Sequence, residues 1–307
     1  MARVTYAPLR IVSLNLRAYF GPGGSQIADL ANLIASHEPD VVLLQEARPG
    51  WLEVVCRAGG LCGAFSLDAD VPFPGRRGDG CAIAVRSPLG IDRVWRLEPA
   101  RFEPTAVASV IDEPVPKSYE VLPAALAARF SSRTLLAAIS GSERPFVAAT
   151  FHATPGTGQV GGKLVSEWKP FFHGAAAVAL AELELPFMFA IDANEPRAET
   201  LDGVAFHWAD GRPGAAKFAA LLGLSPLHRA RDLQRELMAK TGAAPAAPGY
   251  LALTYTTSGG GKTAGGGRRF DSIWATSEFV LEDMDTFYAE ALAAGGDHAL
   301  LQANVSF

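Results

Sequence analysis

The sequence predicts an α/β fold in which β-sheet is covered by helices. Its opening reads strand, helix, strand, and its strand candidates are near-continuous apolar runs, as expected of strands buried on both faces. Composition agrees: 49% of the 307 residues are hydrophobic and 19% charged, enough for a large core and incompatible with a disordered chain. The 31 glycines and 21 prolines imply many loops rather than a long helical bundle.

Leu9, Ile11, Val12 and Leu14 form a short β-branched-rich run and predict the first strand. A glycine-rich turn follows at residues 21–24. Ser25 can then cap a helix whose Ile27, Leu30, Ala31 and Ile34 recur at helical spacing. Pro39 ends it, and residues 40–45 are a second apolar strand. Further strands are expected at 81–85, 105–111, 133–139, 146–151 and 187–191, with a hairpin connection at residues 140–143. A helix is expected over 164–183, with Pro170 and Gly174 placed to kink or split it. The last third predicts helices at 215–222 and 229–240, then strands near Leu253 and at 269–275, 279–287 and 298–305. The Ala/Pro stretch 242–249 and the Gly-rich stretch 258–267 read as loops. There is no internal repeat, and one domain over 1–307 is the economical organisation. The Pro-rich segment 91–132 fits no core element and reads as a substrate-side insertion.

Charge narrows the partners. The 27 Lys and Arg against 32 Asp and Glu give a net charge of −5, which argues against a tight non-specific grip on nucleic acid. It leaves room for an enzyme with a small basic rim. Cys56, Cys62 and Cys81 form no C-x-x-C pair and read as free thiols in a reducing compartment. The N-terminal residues carry no signal-peptide pattern, and no run reaches the ~18 apolar residues of a membrane span. The expectation is a cytoplasmic protein with no membrane partner; the sequence does not set its oligomeric state.

The polar residues that matter follow apolar runs, where a chain leaving a packed sheet delivers side chains to the sheet's edge. Asn15 follows Ile11–Leu14, and Gln45-Glu46 follow Val41–Leu44. His152 follows Phe146–Phe151, and Asp192 and Asn194 follow Phe187–Ile191. Arg269 and Asp271 open one strand, and Asp297-His298 precede the last. Taken singly, each has a plain reading as a turn former, a solvated carboxylate or a structural histidine. Six such sites, each at a strand end, reverse those odds.

The order N, QE, H, D-x-N, R-x-D, DH resembles the ordered signature of the endonuclease/exonuclease/phosphatase superfamily, from Leu9 to Phe307. That resemblance implies a four-layered α/β sandwich, two packed mixed sheets flanked by helices, and hydrolysis of phosphoesters with Mg²⁺ or Mn²⁺. It implies Glu46 as principal metal ligand, helped by Asn15 and by Asp271 or Asp297. Asp192 would orient or deprotonate the attacking water, with Asn194 fixing it or binding a phosphate oxygen. His298 would bind or protonate the phosphate with its ring held by Asp271, and His152 would be a second phosphate-side donor or acid. Carboxylates are suited to a hard cation that keeps several waters.

Arg17, Lys262 and Arg269 are the expected substrate contacts. The run 258–263 lacks the first glycine of a P-loop, where Thr256 stands, and precedes a strand rather than a helix. Two departures from the family pattern stand out. Ala193 separates Asp192 from Asn194, and Gly296 occupies the place of a serine before Asp297-His298. The abasic-site members' catalytic tyrosine has no counterpart. The functional expectation is a nuclease acting on nucleic-acid phosphodiesters. The alternatives are a phosphatase or phosphodiesterase for a small phosphoester and, last, a silent binding module.

Overall fold

The computed structural model describes residues 8–17, 24–66, 80–111, 121–154, 159–160, 163–164, 168–194, 230–243, 252–256 and 267–307. The sheet-and-helix expectation resolves into two six-stranded mixed sheets. Sheet A holds β1 (Leu9–Asn15), β2 (Val41–Ala47), β3 (Leu61–Phe65), β4 (Gly80–Arg86), β15 (Val280–Phe287) and β16 (Leu300–Ser306), in the order β15-β16-β1-β2-β4-β3. Sheet B holds β5 (Gly90–Trp95), β6 (Thr134–Ser140), β7 (Phe146–His152), β10 (Phe187–Asp192), β11 (Ala230–Asp232) and β14 (Asp271–Thr276), in the order β11-β14-β10-β7-β6-β5. The remaining strands are two-residue pairs: β8 (Gln159–Val160) with β9 (Lys163–Leu164), and β12 (Tyr255–Thr256) with β13 (Gly267–Arg268).

The alternation of strand faces explains the layering. In β2, Val41 and Leu43 join Ile83, Ile139, Met188 and Ile273 in the core between the sheets, whereas Val42 and Leu44 pack with Leu30, Ile34 and Val55 under the outer helices. A strand covered on both faces must be apolar at every position, which is what the sequence showed. Helices α1 (Gly24–Ser36) and α2 (Pro49–Gly59) cover sheet A. Sheet B is covered by α3 (Pro104–Ile111), α4 (Ala124–Ser132) and α5 (Lys169–Ala181), where Phe102, Phe130 and Phe172 interlock with Phe151 and Phe189. The described parts of the segment 91–132, in β5, α3 and α4, thus belong to sheet B and its helical layer. Among the described residues no helix is long and apolar enough to cross a membrane.

Several expectations need correction. Residues 105–111 form α3, not a strand: Pro104 sits where the first helical turn tolerates proline, and Val107 is buried in the helical layer. Pro170 likewise falls in the first turn of α5, so the helix starts at Lys169 and neither Pro170 nor Gly174 breaks it. The expected helix over 229–240 divides into β11 and α6 (Leu233–Thr241), because Asp232 caps the helix by accepting from Gln234 N at 3.1 Å. Gly242, at φ 68°, closes α6 in the left-handed conformation. A last short helix, α7 (Tyr288–Ala293), precedes β16. The helix expected over 215–222 lies outside the described residues.

Candidate active site

Strand register brings the polar residues together. Asp192, at the end of β10, pairs directly with His152 of parallel β7 on one side and with Asp271 of antiparallel β14 on the other. In sheet A, Asn15 pairs with Gln45 across parallel β1 and β2. Gln45 turns into the inter-sheet space and donates from Nε2 to Thr150 Oγ1 at 2.9 Å, which ties the two ladders together. The carboxyl ends of both sets of parallel strands therefore open on the same edge of the sandwich.

Backbone strain sharpens the aim of three side chains. The pairing of β2 with β4 slips between Leu44 and Ala47, and Glu46 sits in that bulge with φ 47°. A bulge redirects the side chain it carries; the Glu46 carboxylate ends 3.4 Å from His152 Nε2. Arg17 and Asn194 also take left-handed backbone, at φ 56° and 50°. That conformation costs a non-glycine residue about 1–2 kcal/mol, and such strain concentrates where side-chain placement matters more than backbone comfort.

Asp192 is clamped at both oxygens. Asn15 Nδ2 donates to Oδ2 at 2.8 Å, and the backbone N–H of Asn194 donates to Oδ1 at 2.9 Å. Asn15 is itself oriented by Arg17 N–H, which donates to its Oδ1 at 2.8 Å. Asn194 Nδ2 donates to Ala153 O at 2.7 Å, and Lys169 Nζ donates to Asn194 O at 2.9 Å. Across the cluster, His298 Nδ1 lies 2.8 Å from Asp271 Oδ2, and its Nε2 lies 4.0 Å from Asp192 Oδ2. Thr254 holds this dyad in place. Its hydroxyl accepts from the backbone N–H groups of Phe270 and Asp271, and its carbonyl accepts from Ala299 N. Arg17 Nε stands 3.1 Å from Asp297 Oδ2.

These groups are nearly dry. Asn15 is 0% exposed, Asp192 1% and His298 7%. Burial pushes the Asp192 carboxyl up, and the neighbouring Asp271 and Glu46 charges add to this against the pull of His298, leaving it at about 7. For His298 burial opposes the charged form, but Asp271, Asp192 and Asp297 overcome it and hold the ring cationic up to about 10. His152 moves the other way: burial, then the charge of Arg133, holds it well below the usual histidine range. His173, buried on α5, is pushed down to about 3 by desolvation and hydrogen-bonds the backbone of Ala193. It is a structural support beneath the Asp192 turn.

The donor set fits a hard divalent cation. Asp271 Oδ1 and Asp297 Oδ1 are buried and accept no hydrogen bond among the described residues, a costly state for a carboxylate oxygen that has no further role. Glu46 Oε1 lies 3.4 Å from the same His152 Nε2 that is 3.4 Å from Asp192 Oδ2, which adds a carboxylate at this edge, and carboxylate oxygens are what Mg²⁺ or Mn²⁺ takes. Ligating atoms of Asp192, Asp271 and His298 also lie within 4.8 Å of one another, but a cationic His298 has no lone pair to offer a metal.

The structure thus gathers Asn15, Glu46, His152, Asp192, Asn194, Asp271, Asp297 and His298 in one place, with Arg17 beside them. It does not bring Arg269 there. That guanidinium is buried and forms a two-pronged pair with Asp232, at 2.8 and 2.5 Å. Arg269, two residues before β14, therefore reaches to the cap of α6. Lys262 lies outside the described residues. Sequence reasoning missed Arg133, Lys169, Thr254 and Tyr255. The Tyr255 ring lies 4.8 Å from that of His298. Only Tyr255 carried a usable signal, an aromatic shortly before the glycine-rich loop.

The family model for the Endonuclease/Exonuclease/phosphatase family matches residues 12–298. No curated protein sequence matches the chain. Among solved structures, D. rerio TDP2 humanized by 14 mutations is similar at TM-score 0.61 and 18% identity, over 98% of this chain and 99% of its own. D. rerio TDP2 complexed with a single-strand DNA product gives 0.61 and 17%, over 98% and 99%. The human Nocturnin catalytic domain with bound sulfate gives 0.59 and 14%, over 99% and 96%. At such identities these structures establish the four-layered fold.

Proposed function

Since the chain belongs to the Endonuclease/Exonuclease/phosphatase family, and is by that membership a divalent-metal-dependent phosphoesterase, we propose that it is a nuclease that cleaves nucleic-acid phosphodiesters by attack of water. The observation that carries this is the placement of a clamped, buried carboxylate 4.0 Å from a carboxylate-held imidazolium, Asp192 opposite His298. One is suited to take a proton near neutral pH and the other to keep its charge there.

In this reading Asp192, aimed by Asn15 and Asn194, takes a proton from water as the water oxygen bonds to phosphorus and the P–O ester bond breaks. His298 donates from Nε2 to a phosphate oxygen whose negative charge rises, while Asp271 keeps the ring charged and fixed. Asn194 is spent on holding the Asp192 turn. Glu46 and Asp297, with Asn15 beside them, would hold Mg²⁺ or Mn²⁺, which neutralises charge on the phosphate and leaving oxygens. Arg17, paired with Asp297, borders the same ground and remains a proposed substrate contact.

The nucleic-acid assignment draws support from the D. rerio structure holding a single-strand DNA product. The net charge of −5 fits a few local phosphate contacts rather than a broad basic groove. A second reading, hydrolysis of a small phosphoester, is favoured by that same charge and by the depth at which the site groups are buried. Free Cys56, Cys62 and Cys81 accord with a cytoplasmic setting, and residues 1–307 with a single domain.

Plasmid and single-stranded DNA, RNA and a panel of small phosphoesters, each assayed with Mg²⁺ and Mn²⁺, separate the readings. Asp192→Asn and His298→Ala should lower turnover by about 10²–10⁴-fold. Unchanged activity in both variants would place the chemistry elsewhere. Turnover of the small panel without cleavage of nucleic acid would install the second reading.

A further inference from the structure

Arg17 reaches the site from both of its ends. It stands two residues after Asn15, the last residue of β1, and its backbone is left-handed at φ 56°. There its N–H donates to Asn15 Oδ1 at 2.8 Å, the loop that asparagine side chains make with the residue two places on. A backbone N–H can only donate, so it takes the amide oxygen and leaves Nδ2 for Asp192 Oδ2, at 2.8 Å. The guanidinium turns elsewhere: Nε lies 3.1 Å from Asp297 Oδ2, the two side chains being 34% and 14% exposed.

Stability does not account for this arrangement. Left-handed backbone is unfavourable for arginine, and an ion pair open to water contributes little. Charge does account for it. Asp297 keeps its other oxygen, Oδ1, buried and without a hydrogen bond among the described residues, as a carboxylate awaiting a cation would. The carboxylate that suits a divalent ion is therefore one that a guanidinium already holds. The two cations repel each other and draw on one anion, and arginine keeps its charge at every pH the protein meets.

We propose that Arg17 is a positioning residue for the metal side of the site: its guanidinium holds Asp297 in competition with the divalent cation and so limits how tightly that ion is bound. Asp297 as a metal ligand belongs to the proposed function, and the inference rests on that reading there; the turn and the ion pair do not depend on it. Two plainer accounts differ in outcome. A merely structural pair leaves metal affinity unchanged when it is broken. A contact made to substrate alone raises KM, again with metal affinity unchanged.

Calorimetric titration of Mn²⁺ into the full-length protein, without substrate and at constant ionic strength, separates them. Arg17→Met should bind Mn²⁺ about 5–10-fold more tightly, the order expected from giving up one partly exposed ion pair and one charge close to a divalent ion. Arg17→Lys, which keeps the charge, should stay near the native affinity. In an Asp297→Asn background Arg17→Met should lose most of its gain. Arg17→Gly, at ease in a left-handed turn, removes the same guanidinium and retains the N–H to Asn15, so it decides the matter should Arg17→Met not fold. Affinity unchanged or weakened on loss of the guanidinium, or a gain that stays whole beside Asp297→Asn, overturns the proposal and leaves the phosphoesterase reading standing. A native protein that takes up no Mn²⁺ removes that reading and this one together.

Discussion

Replacing Asp271 with asparagine isolates the charge that governs His298. The ring's affinity for its proton is lifted from an ordinary value of 6.5 to about 10 despite complete burial. At about 1.4 kcal/mol per unit, that gap corresponds to roughly 5 kcal/mol favouring the imidazolium. Asp271 is the largest favourable influence and the only carboxylate in hydrogen-bonding contact, at 2.8 Å, among the described residues; Asp192 stands at 4.0 Å. Asp271→Asn keeps the shape and removes the charge, so His298 should titrate more than ~2 units lower. Histidine ¹H–¹³C spectra across pH 5–11 would follow this. Activity should retreat toward acid pH as the cationic ring is lost. The linkage has a definite sign: a histidine raised in the folded state stabilises fully below 6.5 and loses that contribution as pH rises through about 10. The variant's deficit, about 3–5 kcal/mol for a broken buried pair, should therefore be largest below pH 6.5 and shrink toward pH 10. A His298 that still titrates above 9 in Asp271→Asn would refute the assignment of its charge to this contact.

Two further outcomes follow from the same electrostatics and packing. Asp192, raised from 3.8 to about 7, stabilises the metal-free protein when protonated and ceases to do so as pH rises through about 7. A cation bound nearby competes with that proton, so Mn²⁺ affinity by calorimetry should weaken by up to ~10-fold per pH unit below about 7; a flat profile from pH 5 to 8 would separate Asp192 from the metal. Arg269→Met, which leaves the buried Asp232 to Arg235 Nε at 3.6 Å and to the Gln234 N–H, should cost about 1.5–3 kcal/mol in urea unfolding while kcat/KM per folded molecule changes little. A lowered kcat/KM at full stability would return Arg269 to the substrate.

Much of the site could be read in the chain because strand register converts position into proximity. Each key residue follows an apolar run, and runs paired in parallel end together; that is how His152 and Asp192, distant in sequence, come to be opposite residues. The β-branched residues of 105–111 misled because propensity is local, whereas Pro104 and the aromatic layer over sheet B settled them as helix. Arg269 misled because it stands two residues before Asp271, a spacing that shares a face in a strand, yet it precedes β14 and Asp232 claims its guanidinium. Arg133 was invisible for a different reason. Nothing in the run it opens shows that an arginine there is buried, since its partner arrives only when β6 and β7 pair. The left-handed backbone of Glu46 likewise depends on a bulge that only the pairing of β2 with β4 creates.

Diffraction from crystals soaked in Mn²⁺ with a non-hydrolysable phosphodiester, recorded at the manganese edge, tests the convergence of these residues most directly. The expected anomalous peak is bound by the Glu46 carboxylate at about 2.1 Å, with Asp297 or Asn15 beside it and the phosphate between the ion and His298. An ordered ion that leaves Glu46 untouched, or a phosphate bound away from Asp192 and His298, would contradict it.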